Sequence, residues 1–165
     1  DQGLDYFNKF IENYPTIDLL ANASEKEILN HWQGLGYYSR ARNLHFTAKL
    51  IVNEYNGVFP TEYKDVLNLK GVGEYTAAAI TSFAYGLSYP VIDGNVYRVL
   101  SRVFGIELSI DSTEGKKTFK KLAEELLDTK NPSDYNQAIM EFGALQCTPK
   151  NQLAKIVLFV YLVMR

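Results

Sequence analysis

The sequence predicts an all-α protein, and three observations carry that prediction. Apolar residues recur at three- and four-residue intervals along nearly the whole chain. Glycine and proline punctuate these runs where helices would end. No convincing β-alternation, internal repeat or low-complexity linker interrupts them. Apolar residues make up 47% and charged residues 22% of the 165 positions, ordinary values for a chain with a packed core. That length suits one domain or two small lobes.

The elements follow in order. Leu4, Phe7, Phe10, Ile11 and Tyr14 share helical spacing, and Pro15 stops the run. Ser24-Glu25-Lys26-Glu27 is a capping-box pattern opening a helix through Ile28 and Trp32, ended near Gly34. Ser39 to Tyr55 reads as a long amphipathic helix with Ala41, Leu44, Ala48, Leu50 and Ile51 as core, closed by Asn56-Gly57. Thr61 is the expected cap of a short helix through Val66 and Leu67. Gly71-Val72-Gly73 makes a turn, and an alanine-rich helix resumes from Tyr75 to Tyr85, ended by Gly86. Gly94 to Phe104 is next, stopped by Gly105. Asp111 or Ser112 opens a helix to Leu127, and Pro132 suits the first turn of a helix to about Leu145. A junction between two lobes is expected near residue 88, where glycine and proline signals bracket Phe83 to Pro90.

Several classes are disfavoured. A net charge of −2 does not suit a wholly electrostatic nucleic-acid binder, so any such contact must be local or made by the backbone. The single cysteine, Cys147, allows no internal disulfide and no all-cysteine metal site. Together with the lack of a recognisable signal peptide, this favours a cytoplasmic setting. The apolar run Ile156 to Met164 is far short of the roughly 20 residues that span a bilayer, so no membrane partner is expected.

Three segments carry chemistry. In Leu69-Lys70-Gly71-Val72-Gly73, glycines permit unusual dihedrals and close approach, and a helix start offers free N–H groups to a phosphate. The bland alternative is a tight turn between core helices. Asp93, followed by Gly94-Asn95, is a helix cap on the plain reading. On the functional reading, a return of the chain to the hairpin cleft gives a carboxylate that stabilises a sugar cation. In Gln33-Gly34-Leu35-Gly36-Tyr37-Tyr38-Ser39-Arg40-Ala41-Arg42, adjacent rings and guanidinium groups suit unstacked bases. The alternative there is one tyrosine packed inward and solvated arginines. His31 and His45 read as surface or capping residues rather than metal ligands, and Lys116, Lys117, Lys120 and Lys121 as a solvated face.

Trp32 to His45, the hairpin Leu69 to Ile80, and Pro90-Val91-Ile92-Asp93-Gly94-Asn95-Val96 together resemble the MutY-type adenine DNA glycosylases of the endonuclease III superfamily. The resemblance runs from Asp1 to about Asn151. It implies a helix–hairpin–helix glycosylase fold with a cleft between two helical lobes. Residues 1–88 would be a partial six-helix lobe and 89–151 the remnant of an iron–sulfur domain. The implied activity is base excision repair on duplex DNA, removing adenine mispaired with 8-oxoguanine by hydrolysis of the N-glycosidic bond. The implied location is the cytoplasm of a bacterium, with the nucleoid.

By the same resemblance, Asp93 stabilises the sugar cation and Asn95 positions that aspartate or a water. Tyr75 stands where lyases of the superfamily carry a Schiff-base lysine, so a monofunctional glycosylase is implied. Tyr37 matches the wedge beside the lesion, flanked by Gln33, Gly36, Tyr38, Arg40 and Arg42. Lys70, Gly71, Val72, Gly73 and Thr76 match the hairpin's DNA contacts, and carbonyls of Leu67, Leu69 and Val72 match a site for Na+ or K+. A non-catalytic DNA-binding module and an endonuclease III-like pyrimidine glycosylase with lyase activity are the alternatives.

Two departures shape the expectation. The family's catalytic glutamate, which protonates adenine, matches no residue here, and Glu12 is no substitute; this chain alone is therefore expected to be nearly inactive. Its missing packing partner should expose apolar surface and favour self-association. Of the family's four [4Fe–4S] cysteines only Cys147 is present, with Ala154, Val157 and Val163 at the other places, so no cofactor is expected in this chain. Alanine codons begin GC and valine codons GT. If Leu153, Ile156 and Leu162 end in T, reading one nucleotide earlier restores cysteine at all three sites. Residues 152–165 are thus expected to be an aberrant, frameshifted tail. Sequencing the coding DNA should find those three codons ending in T; any other ending at these positions contradicts the frameshift.

Overall fold

The structure is a computed structural model that describes residues 2–150. The tail expectation for 152–165 lies outside the described residues. Within them the fold is all-α: nine helices and no strand. Contacts in space group the backbone into two compact units, one ending at Gly73 and the other beginning at Glu74. Among the described residues no helix is long and apolar enough to cross a membrane.

The first unit holds α1 (Gln2–Asn13), α2 (Ile17–Asn22), α3 (Glu25–His31), α4 (Tyr38–Glu54) and α5 (Tyr63–Leu67). The predicted capping box opens α3: the Ser24 hydroxyl accepts from the Glu27 N–H, and the Glu27 carboxylate accepts from the Ser24 N–H at 2.8 Å. The Ser24 hydroxyl, which also donates to this carboxylate at 2.7 Å, and then the Ser24 N–H lower the Glu27 carboxyl from its ordinary value. Its folded-state value being depressed, the box contributes above the unfolded glutamate value and is lost as pH falls through the folded one. Helix α2, too short to show periodicity, is capped by Thr16, whose side chain accepts from the Leu19 N–H. Ile28, Trp32 and Ala41 form the buried centre, surrounded by Phe10, Tyr14, Leu20 and Leu35. Against this core the Phe10 and Trp32 rings meet edge to face at 5.5 Å.

Three expectations fail here. Leu44, expected in the core, is exposed, because the buried side of α4 runs instead through Ala41, His45, Ala48 and Ile51. His45 is therefore buried rather than a surface residue, and His31 packs against the Phe10 and Tyr14 rings. Thr61 does not cap α5; Glu62 occupies that place without a side-chain bond. On α1, Leu4, Phe7 and Ile11 lie on one exposed stripe beside the packed Phe10.

The second unit comprises α6 (Glu74–Tyr85), α7 (Gly94–Phe104), α8 (Thr113–Leu126) and α9 (Pro132–Leu145). Helix α7 packs on α8 and α9, and α6 on α9. Val96, Leu100, Phe119 and Ala123 are buried together, with Ile92, Ile106, Ile139 and Met140 around them. The Tyr97 and Phe119 rings meet edge to face at 5.0 Å. Ser112, not Asp111, caps α8 by accepting from the Gly115 N–H at 3.0 Å. The extended approach to α7 is held by Asn136, itself buried. Its side chain accepts from the Val91 N–H at 3.0 Å and donates to the Tyr89 carbonyl at 2.9 Å. Satisfying both backbone groups with one amide fixes where Asp93 begins the next helix.

The hairpin after α5 is a tight turn: the Val72 N–H donates to the Leu69 carbonyl at 3.1 Å. Its two glycines play different parts. Gly71 has φ of +83°, and a Cβ there would stand 2.5 Å from the Asn43 side-chain nitrogen. Gly73 lacks a positive φ and faces open space. Only Gly71 is required by the fold, so Gly71→Ala should destabilise the protein by about 1–3 kcal/mol in urea unfolding. Gly73→Ala should change stability by no more than about 1 kcal/mol, with a gain the expected sign. Equal losses at the two positions would contradict this division.

Candidate functional site

Three consecutive contacts from one face of α4 support the hairpin. Asn43 fills the space beside Gly71. The Phe46 ring lies 4.3 Å from the Lys70 ammonium, and the Thr47 hydroxyl donates to the Lys70 carbonyl at 3.3 Å. Beyond Gly73 the chain enters α6, whose first N–H groups have no acceptor within their own helix. Lys70 and Tyr75 are exposed, and Thr76 is half-buried beside them in sequence. A Cβ at Gly73 would meet nothing within 4 Å, so the backbone there is unobstructed. At the proposed cation position, the Leu69 carbonyl already accepts the turn's hydrogen bond, leaving one lone pair for a further contact.

The loop into α4 is stiffened from below. Trp32 donates its indole N–H to the Gly36 carbonyl at 2.7 Å, and the Tyr6 hydroxyl donates to the Gln33 carbonyl at 2.7 Å. The backbone then passes through Tyr37 at φ 47° and ψ 51°, a left-handed conformation that is uncommon for an aromatic residue. Tyr37 is 78% exposed, so the strain presents its ring to solvent rather than packing it. Tyr38 is exposed as well, which excludes the alternative of an inward-packed tyrosine. Arg40 sits over the Tyr37 ring at 5.4 Å. Arg42 differs from Arg40: its guanidinium pairs with Glu25 at 2.9 Å, across two exposed side chains. Such a pair is weak, so Arg42 is engaged but not locked.

Asp93 caps α7. One carboxylate oxygen accepts from the Val96 N–H at 2.8 Å, and the other accepts from the Asn95 amide at 2.8 Å. The plain cap is therefore present, and Asn95 occupies the second carboxylate oxygen. Asn95 is held in turn by Arg98, which donates to its side-chain oxygen at 2.7 Å and to the Gly143 carbonyl at 2.7 Å. Arg98 also donates to the Cys147 carbonyl. Gly143 is the residue that lets Asn95 sit so close, since a Cβ there would lie 2.7 Å from that of Asn95. Sequence reasoning missed Arg98 and Asn136. Both partners of Asn136, and the Gly143 and Cys147 carbonyls that Arg98 reaches, lie more than forty residues away along the chain.

Cys147 is buried, and its sulfur accepts from Arg102 at 3.2 Å; Arg102 also donates to the Thr148 carbonyl at 2.8 Å. A [4Fe–4S] cluster takes four thiolates, and the sequence supplies one. The residues present do not fit such a cluster.

Similarity to known proteins covers most of the chain. Residues 3–127 match the family described as HhH-GPD superfamily base excision DNA repair protein. The chain is 39% identical over 153 residues to an adenine DNA glycosylase of Buchnera aphidicola subsp. Baizongia pistaciae, covering 93% of this chain and 43% of that protein. It is 43% identical over 151 residues to the human adenine DNA glycosylase, covering 91% of this chain and 28% of that protein. It thus spans less than half the length of these curated relatives. Among solved structures, a thermostable thymine-DNA glycosylase superposes with a TM-score of 0.82 at 30% identity, covering 90% of this chain and 68% of that one. A hairpin braced by α4, a capped and anchored Asp93 and these matches lead to one conclusion: the chain belongs to the HhH-GPD superfamily of base excision DNA repair proteins.

Proposed function

We propose that this chain forms the DNA-gripping and cation-stabilising part of an adenine DNA glycosylase acting on adenine opposite 8-oxoguanine. The anchored carboxylate of Asp93 carries the chemical part of this reading, and the likeness to adenine DNA glycosylases supports the choice of base. Hydrolysis breaks the bond between the sugar C1′ and adenine N9. The bonding electrons leave with adenine, which takes up a proton, and positive charge develops on the sugar. Water then adds to C1′ and loses a proton, leaving an abasic site. Asp93 stabilises the cation, with Asn95 and Arg98 holding its geometry. No residue of this chain is assigned to protonating adenine.

The remaining roles follow from placement. Amides around Val72 and Gly73 and the start of α6, including Thr76, bind a backbone phosphate, while carbonyls of Leu67, Leu69 and Val72 offer oxygen ligands to Na+ or K+. Tyr37, backed by Arg40, enters the duplex beside the lesion, with Gln33, Gly36, Tyr38 and Arg42 around it. Tyr75 has no amine with which to form an imine, which supports a monofunctional reaction. Such work places the protein with the nucleoid in the bacterial cytoplasm. The exposed Leu4, Phe7 and Ile11 support self-association, read by sedimentation as a mass that rises with concentration and refuted by one that does not.

The test uses short duplexes carrying 8-oxoguanine opposite either a non-cleavable adenosine analogue or thymidine. The adenine analogue should bind at least about tenfold more tightly, a difference of about 1.4 kcal/mol. Equal affinities would overturn the adenine reading and leave a non-catalytic DNA-binding module. A covalent adduct trapped by borohydride on abasic DNA would instead establish a lyase, contrary to what Tyr75 predicts.

A further inference from the structure

We propose that Phe46 and Lys70 form a second phosphate-binding element beside the hairpin, in which the Phe46 ring holds the Lys70 ammonium ready for a DNA phosphate. The proposal rests on the DNA-binding reading above. Its starting point is a side chain that packing does not explain: Phe46 is 48% exposed, although it projects from a helix with a well-buried opposite face. The Lys70 ammonium lies over that ring at 4.3 Å. A charge at that distance is attracted by the face of the ring and keeps its remaining sides open to water.

Lys70 is held twice from α4. Phe46 engages its side chain, and the next residue, Thr47, binds its carbonyl. Asn43, one turn earlier, packs on Gly71 immediately after it. The main chain and the charge of Lys70 are thus set by the same helix face that fixes the turn. Among the described residues no carboxylate lies within ion-pair distance of Lys70: Glu74 meets Lys120, Glu25 meets Arg42 and Glu125 meets Lys121. Its positive charge is therefore available to a ligand. A freely rotating lysine loses much of its rotamer freedom when it binds, whereas one already resting on a ring loses less. In a chain of net charge −2 a pre-placed cation next to the hairpin amides adds attraction where backbone donors alone are neutral. Phe46 is accordingly a positioning residue and Lys70 the phosphate contact.

The rival is that the lysine stem merely shields an exposed ring. Anisotropy titrations of the full chain with a short duplex bearing a tetrahydrofuran abasic site, across a series of NaCl concentrations, separate the two. Lys70→Met should reduce the salt slope by about 0.9, the value of one lost phosphate contact, and Lys70→Arg should keep it. Phe46→Leu should keep the slope and weaken binding about two- to five-fold. In the Lys70→Met background, Phe46→Leu should have no further effect. An unchanged slope for Lys70→Met while the parent chain binds overturns this proposal alone. So does a Phe46→Leu loss of equal size with and without Lys70. Failure of the parent chain to bind at low salt overturns the underlying DNA reading, and the proposal with it. Unfolding midpoints measured in parallel identify any variant that loses binding by unfolding; should Phe46→Leu be one, the Lys70→Met slope still decides.

Discussion

The Asp93 carboxylate is the interaction on which the second unit's site depends. One oxygen starts α7 by capping its third N–H, and the other is occupied by Asn95. An N-cap contributes about 1 kcal/mol on its own, and hydrogen bonds to a charged group are stronger than neutral ones. The consequence is geometric as much as energetic. A helix start is a favourable place for negative charge, and a carboxylate committed to two donors is held in one orientation. Structural and chemical readings of this residue are therefore compatible, since the cap is what holds the charge in place.

Two layers of support stand behind that group. Asn136 places the incoming strand of chain, and Arg98 ties Asn95 to the Gly143 and Cys147 carbonyls. Arg102 repeats the clamp one turn later on α7, reaching the Cys147 sulfur and the Thr148 carbonyl. The segment around Cys147 is thus fastened by two arginines. In the first unit, α4 does the corresponding work for the hairpin through Asn43, Phe46 and Thr47, which share one side of the helix. In both units a rigid helix face, rather than a loop, sets the residues assigned to DNA.

Local signals made much of this legible in the sequence. The capping box at Ser24, the Gly105 stop and the Pro132 start each act within one helical turn, so each can be read from neighbours alone. Glycine spacing located the hairpin, but it did not separate Gly71, which needs its positive φ, from Gly73, which does not. Thr61 misled because a good capping residue one position away from the helix start is not a cap. Leu44 misled because apolar spacing does not say which side of α4 faces the core, and His45 took the buried place. The Arg98–Gly143 contact, the Asn136 contacts and the Arg42–Glu25 pair were beyond reach, since each depends on a partner brought near only by tertiary packing.

The central claim, that the capped Asp93 carboxylate faces a sugar cation, is tested most directly by charge at the sugar. Two duplexes are compared that differ only in the abasic analogue: a protonated pyrrolidine or a neutral tetrahydrofuran. The parent chain should bind the cationic duplex at least about tenfold more tightly. In Asp93→Asn that preference should vanish; the amide oxygen can still cap α7, and giving up the Asn95 contact should lower stability by no more than about 3 kcal/mol. The same preference in both proteins, or none in the parent chain, would contradict the account.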